Sequence, residues 1–365
     1  MKVRYSYLKQ QFSNSDDLWR KLKKFVQTGD FTLGKPLKNF EQKFAKLIGT
    51  KYAVGVNSGT DAIKLCLKVL NIGPGDEIIT AANTFVATVG AICELGAKPV
   101  FVDCDDTFCM NVDLVEKKIT KKTKAIIPVH FTGYMTNMIK LNKLAKKYKI
   151  PIVEDACQSI LASINKKNSG TWSNFGAFSL HPLKNINVWS DGGIIVTSNK
   201  KYYEHLKLLR NHGLVDRDNV KIPGYNSRLD TFQAVVGNWL IPSAKKIANQ
   251  RINNANYYDT HLSKIKGIRI PPRIKNYKIV YHLYIVFAKN RNKLLKYCQK
   301  KGIEAKVHYP IPIYRQPAMK FLKHKMGDFP ITDFHAKNII SFPCDQHLSK
   351  QEMNYVIKCV KNFYS

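Results

Sequence analysis

Acidic residues are scarce in this 365-residue chain: 26 Asp and Glu stand against 59 Lys and Arg, a formal net charge of +33. Long apolar runs are missing, and no stretch approaches the roughly 20 residues that a membrane-spanning helix requires. Met1 to Phe12 mixes Lys, Arg, Gln and Tyr without an apolar core, so no signal peptide is expected and the chain reads as cytoplasmic. Paired cysteine motifs are absent. The eight cysteines, Cys66, Cys93, Cys104, Cys109, Cys157, Cys298, Cys344 and Cys359, form no Cys-x-x-Cys spacing. That disfavours zinc and leaves buried free thiols as the simplest reading. Internal repeats, low-complexity linkers and heptad runs are also lacking, which argues against solenoids and coiled coils.

The chain does have enough apolar material for a large core, with 44% hydrophobic residues, and that composition argues against disorder. Its length exceeds one typical core and fits a large domain plus a smaller one. The +33 charge admits a polyanionic partner such as nucleic acid, an anionic membrane surface or a phosphorylated ligand. The lysines, however, are spread as doublets such as Lys23-Lys24, Lys121-Lys122, Lys146-Lys147 and Lys300-Lys301. They form no tail or stripe, and no RNA-recognition or zinc-finger motif accompanies them. A solvated basic surface is therefore favoured over nucleic-acid or membrane binding.

Apolar runs and helical periods alternate along the first half. Phe40, Phe44 and Leu47 mark one helix face; Tyr52–Val56 reads as a strand; Ala62, Ile63, Cys66, Leu67 and Leu70 mark the next helix. Gly73-Pro74-Gly75-Asp76 is a turn by composition. Short apolar strands follow at residues 77–80, 99–102, 125–129 and 151–154, with Met138 to Tyr148 helical. Continuous apolar strands separated by helices predict an α/β fold with a parallel sheet covered on both faces. Residues 177–180 and 193–197 read as two further strands joined by a loop that carries Lys184. From about Ile241 a long helix leads into a smaller α+β region with a strand at Leu283–Phe287 and a last helix from Ser349 to about Phe363. The division is placed near residue 245, giving domains 1–245 and 246–365.

Ligands of open α/β sheets bind beyond the carboxyl ends of the strands, and several polar residues fall there. Ser58-Gly59-Thr60-Asp61 lies between a strand and the helix it starts, where amides, a glycine and a hydroxyl suit a phosphate. Taken alone, the segment is better read as an ordinary N-cap, Ser or Thr satisfying the first-turn amides. Asp155 ends a core strand, where a carboxylate is costly without a cation or several donors; a pyridinium nitrogen is one such cation, and a helix cap is the other reading. Lys184 sits in a loop between apolar strands, with Ser179 before it and Asp191-Gly192-Gly193 after it. A loop lysine is ordinarily solvated, but one held in a desolvated cleft acts as an amine nucleophile.

Five segments occur in a telling order: residues 56–62 (VNSGTDA), 83–88 (NTFVAT), 153–158 (VEDACQ), the Ser179–Gly193 loop and 224–230 (GYNSRLD). Together with His308-Tyr309-Pro310 and Ser341-Phe342-Pro343, they resemble the DegT/StrS sugar aminotransferase family of fold-type-I pyridoxal-phosphate enzymes over nearly the whole chain. The resemblance implies the following. Lys184 would join the cofactor covalently and carry protons. Asp155 would pair with the pyridine nitrogen and Gln158 would lie near the ring hydroxyl. Gly59, Thr60 and Ser179 would hold the phosphate, and Phe85 would stack on the ring. Asn226 would reach the phosphate from the other subunit of a homodimer with shared sites. Arg228 and Asp230 would orient their loop. The substrates would be L-glutamate and a keto-sugar, in amino-sugar and surface-glycan synthesis such as that of lipopolysaccharide O-antigen.

Departures from the family pattern are few. Ser190 replaces a common Gly before the Asp-Gly-Gly turn, and His130-Phe131-Thr132-Gly133-Tyr134 differs from the commoner tyrosine-containing version. A dehydratase branch carries His in place of the lysine, so retention of Lys184 argues against dehydration. The spacing from Lys184 to Gly193 resembles the longer loop of members that make 3-amino sugars. It points to C3 of a nucleotide-linked 3-keto-6-deoxy sugar, with C4 amination or a non-nucleotide keto-sugar as alternatives. His181, Trp189, His308 and Tyr309 are the residues expected to orient the sugar.

Overall fold

A computed structural model describes residues 1–365. Seven strands build the central sheet: β1 (Tyr52–Val56), β2 (Glu77–Ala81), β3 (Lys98–Val102), β4 (Thr123–Ile127), β5 (Val153–Asp155), β6 (Phe175–Ser179) and β7 (Gly193–Thr197). Ladders and two bridges between β4 and β5, Ile126 with Ile152 and Val129 with Asp155, set the order β3-β2-β4-β5-β6-β7-β1. All neighbours run parallel except β7, which is antiparallel to both β6 and β1. The parallel reading of the sequence thus holds for six strands. The seventh reverses because the loop from Ser179 to Gly193 returns the chain at the same end of the sheet, without a crossover helix.

The flanking helices form where local signals start and stop them. The helix Lys35–Ile48 has Pro36 in its first turn and ends at Gly49, whose φ of 93° closes the left-handed cap. Its core face is Leu37, Phe40, Phe44 and Ile48; Leu47, expected on that face, is only part-buried because the buried stripe continues four residues past Phe44. Phe44 meets Phe178 of β6 edge-on, with ring centroids 5.2 Å apart. Buried Glu41 on the same helix accepts from the Gly55 amide of β1 at 2.7 Å and pairs with Arg210, so the helix is pinned to the strand that leads into Ser58.

The helix Gly59–Val69 is buried almost all round, between the sheet and the helices Val86–Glu94 and Lys200–Leu209. Even its Lys64 is buried, and it is paired with Asp61 at 2.9 Å and Glu94 at 3.2 Å. A helix so enclosed cannot shift without repacking both neighbours, which holds its first turn still.

The 19-residue helix Ala244–Leu262 leads to a second, antiparallel sheet of Ile268–Arg269, Tyr284–Ala288 and Ile339–Phe342, backed by the helices Arg291–Lys300 and Lys350–Tyr364. The first residues of the chain join this C-terminal part. Val3 bridges Ile303, the Tyr5 amide donates to Glu304, and the Tyr7 hydroxyl donates to Glu352. No helix is long and apolar enough to cross a membrane. All eight cysteines are free, and six of them are buried.

Candidate active site

The carboxyl ends of β1, β2, β5 and β6 converge on a cavity of about 370 Å³, closed on its other side by His282, Leu283, Lys306, His308, Tyr309 and the N-terminal Tyr5. Ser58, Gly59 and Thr60 follow β1; Thr84, Phe85 and Thr88 follow β2; Asp155, Cys157 and Gln158 belong to the end of β5; Ser179, His181 and Lys184 follow β6. Residues from Ser58 to Lys184 meet here because parallel strands all end on one side of the sheet.

Asp155 is the last residue of β5 and is buried. Its Oδ2 accepts from Thr88 Oγ1 at 2.7 Å, and its Oδ1 accepts from the Cys157 amide at 3.2 Å. Thr84 and Thr88 hydroxyls lie 2.7 Å apart, which orients the donor. No helix begins at this point, so the capping reading of Asp155 falls away. The carboxylate has neutral donors and no protein cation in ion-pair contact, an arrangement that favours a positive group arriving from the cavity.

Lys184 closes a turn in which its amide donates to the His181 carbonyl at 2.8 Å, and its Nζ has no hydrogen-bond partner in the chain. Burial holds its pKa below the usual lysine value, while the neighbouring Cys157 and Asp155 pull it partly back. A depressed pKa enlarges the neutral, nucleophilic fraction.

Ser58 does cap its helix, its Oγ accepting from the Asp61 amide at 3.1 Å. The cap and the anion site coexist, because the Gly59 and Thr60 amides still head the helix with no preceding turn to serve them. Glycine is required at 59 by space: a Cβ there would lie 2.7 Å from Ser179 Cβ and 3.1 Å from Cys157 Sγ. Gly59→Ala is therefore expected to push the first helical turn away from Ser179. Its measured outcome should be a roughly tenfold or greater loss of affinity for the phosphate-bearing cofactor, with the folded state retained. Unchanged affinity would separate this turn from phosphate binding.

The profile of the DegT/DnrJ/EryC1/StrS aminotransferase family matches residues 13–361. The chain belongs to this family. A pleiotropic regulatory protein of Geobacillus stearothermophilus is 35% identical over 95% of this chain and 94% of its own length. The dTDP-3-amino-3,4,6-trideoxy-alpha-D-glucose transaminase of Streptomyces venezuelae is 35% identical over 93% of this chain and 89% of its own. In three dimensions the chain is similar to S. venezuelae DesV, solved in complex with a ketimine intermediate: TM-score 0.97, 33% identity, 100% and 99% of the two chains covered. It is also similar to a putative sugar aminotransferase of Streptococcus pneumoniae in its PLP form, with TM-score 0.89, 27% identity, and 94% and 95% covered.

The donor set of this DegT/StrS-family chain fits pyridoxal phosphate. A partnerless lysine, a buried carboxylate without a cation and a helix N-terminus with free amides line one cavity, as the aldehyde, pyridine nitrogen and phosphate of that cofactor require. Gln158 is tied by its Oε1 to the Thr132 amide at 2.8 Å, which leaves its NH2 available. Phe85 stands half-exposed at the mouth, its ring 6.1 Å from that of Tyr309. His308 Nδ1 lies 2.8 Å from Ser341 Oγ; burial, with Lys306 and Lys184, pushes its pKa down to about 4, so the ring is neutral at physiological pH. His181 Nδ1 accepts from the Leu183 amide at 3.2 Å.

Two of the expected site residues lie outside the cavity. Trp189, with φ of 72°, packs instead against Phe12, Trp19 and Phe232, 5.3–6.3 Å between ring centroids. Asn226 is exposed, and its backbone bridges Asn211. Conversely, the cavity takes in residues to which sequence reading assigned no role: Tyr5, Thr88, Cys157, Arg251, His282, Lys306 and Asp345. Thr88 was within reach, since it stands in the quoted 83–88 segment one helical turn after Thr84. Tyr5 and Lys306 carried no local signal at all.

Proposed function

We propose that this chain is a pyridoxal-phosphate-dependent transaminase that moves the amino group of L-glutamate onto a nucleotide-linked 3-keto-6-deoxy sugar at C3. It would work in the cytoplasm and supply an amino-sugar for a surface glycan. The observation that carries the reading is the pairing of two unneutralised groups in one cavity, the Asp155 carboxylate and the partnerless Lys184 amine. The C3 choice draws on the Lys184–Gly193 loop spacing and on a relative named for a 3-amino sugar.

When bound, pyridoxal phosphate supplies an electron sink for the pair left by removal of a proton from carbon. The chain supplies everything around it. Lys184 Nζ would hold the cofactor's aldehyde carbon and, once freed by the incoming amine, would carry a proton between that carbon and the donor's α-carbon in one half-reaction and the sugar carbon in the other, a task for which an amine of lowered pKa is matched. Asp155 keeps the pyridine nitrogen protonated, and Thr88 holds the carboxylate in place. Gly59, Thr60 and Ser179 hold the phosphate, Gln158 lies beside the ring hydroxyl, and Phe85 covers the ring. His181, His308 and Tyr309 face the sugar.

A homodimer with shared sites completes the reading. Asn226 is exposed, and so are Trp19 at 57% and Phe31 at 51%, apolar surface that a second copy would cover. Incubation with L-glutamate and a panel of nucleotide-linked keto-sugars should give an aminated product by mass, with nuclear magnetic resonance placing the amine at C3. An amine at C4, or turnover of free keto-sugars alone, would overturn the substrate and leave the transaminase. Mixing Lys184→Ala with Asn226→Ala chains should restore part of the activity, since one site of a mixed dimer carries neither lesion. No recovery after verified subunit exchange would exclude sites built from two chains.

A further inference from the structure

Three cationic side chains line the cavity: Lys184, Arg251 and Lys306. Arg251 is committed, held by Asp345 at 3.2 Å, Gln346 at 2.9 Å and the Tyr281 carbonyl at 3.2 Å. Lys184 is the cofactor lysine of the reading above. Lys306 remains, exposed at the solvent side, with no carboxylate in ion-pair contact.

Lys306 is not a loose surface lysine. Its backbone exchanges hydrogen bonds with Ser341, at 3.0 Å and 2.8 Å, so the stem is anchored to the C-terminal sheet. Its ammonium lies 4.6 Å from the centroid of the Tyr5 ring, and that ring stands 5.7 Å from the His308 ring. A cation over an aromatic face is oriented without being neutralised. Its field reaches inward: Lys306 and Lys184 both help to depress the pKa of His308, which places the imidazole under the influence of both lysines. The lining around that histidine, with Tyr5 and Tyr309, is uncharged and offers donors and acceptors suited to hydroxyls.

We propose that Lys306 contacts the diphosphate of a nucleotide-linked sugar, fixing the anionic bridge at the mouth while the ring carbon to be aminated meets Lys184. The inference rests on the transaminase reading for the position of the reacting carbon. In a nucleotide-linked hexose the diphosphate is attached at C1, across the ring from C4 and two bonds along the ring from C3. With the keto carbon at Lys184, the anion must lie one sugar ring away toward solvent, beyond His308, and Lys306 is the one uncommitted cation on that side. An ammonium on a flexible stem meets phosphate oxygens as a point charge, without needing a fixed fork geometry.

Calorimetric binding of UDP-glucose and dTDP-glucose to the holoenzyme tests this without turnover. Lys306→Gln should weaken both probes roughly tenfold or more, and Lys306→Glu further, while Lys306→Arg stays within about threefold. Raising ionic strength should weaken the parent protein more steeply than Lys306→Gln. Because the side chain is exposed, these variants keep the fold, and thermal melting checks that. Equal binding by the Gln and Glu variants overturns the inference. So does a loss confined to the glutamate half of the reaction, read from the cofactor's visible spectrum, since the charge would then serve the donor's carboxylate. Lys306-dependent binding in a protein that aminates no keto-sugar would retire the transaminase reading, and with it the placement of the ring carbon, and keep only the contact of Lys306 with the diphosphate.

Discussion

Lys184→Ala is expected to lower kcat by about four orders of magnitude, to the limit of detection, because it removes both the attachment point and the proton carrier. Borohydride reduction of the parent holoenzyme should fix the cofactor on the peptide containing Lys184, and on no other lysine. The loss is chemical and not structural. Lys184 Nζ makes no hydrogen bond, and a desolvated ammonium opposes folding, so the variant should melt no lower than the parent apoprotein. The pH dependence follows from the sign of the shift. Burial lowers the pKa of Lys184, so the neutral amine appears at lower pH than for a free lysine. Cofactor loading into apoprotein should therefore rise with pH and level off below the ordinary lysine value of about 10.4. A label on another lysine, or loading that still climbs beyond that value, would remove Lys184 from the centre of the chemistry.

Asp155→Asn should be the second most damaging change. The amide keeps the shape and can still accept from Thr88, but the negative charge opposite the pyridine nitrogen is gone. Removing one member of a buried charge pair costs about 3–5 kcal/mol, or roughly 10²- to 10⁴-fold if it falls wholly on kcat. The cofactor should also bind more weakly and titrate at its ring nitrogen at lower pH, visible as a change in its absorption. There is a further consequence at Lys184: Asp155 raises that amine's pKa, so the loading profile of Asp155→Asn should move to lower pH than the parent's. A variant retaining kcat within about fivefold would show that the carboxylate does not sustain the electron sink. Thr88→Val separates support from chemistry, since it removes the hydroxyl donor but leaves the charge; its loss should be smaller than that of Asp155→Asn.

The sequence by itself determined the alternation of strands and helices, the family, and the residues that follow β1, β5 and β6. These are local matters. A helix start is written in Ser58 and the free amides behind it, a helix stop in Gly49, and a buried strand in an unbroken apolar run such as Ile194-Ile195-Val196. Lys184, Asp155, Gly59 and Ser179 were legible because each stands within a few residues of such a strand end, and the ends of parallel strands share one side of the sheet. Tertiary structure alone decided that β7 runs against its neighbours, that Thr88 stands behind Asp155, and that Trp189 turns away into an aromatic cluster. It also decided that Tyr5 and Lys306 meet at the cavity mouth, although 301 positions separate them in the chain. The physical reason is that contacts between distant segments depend on how whole surfaces pack, not on any short pattern. The N-terminal segment reaches the cavity because Val3 forms a parallel bridge with Ile303, and nothing within Met1–Phe12 specifies that partner.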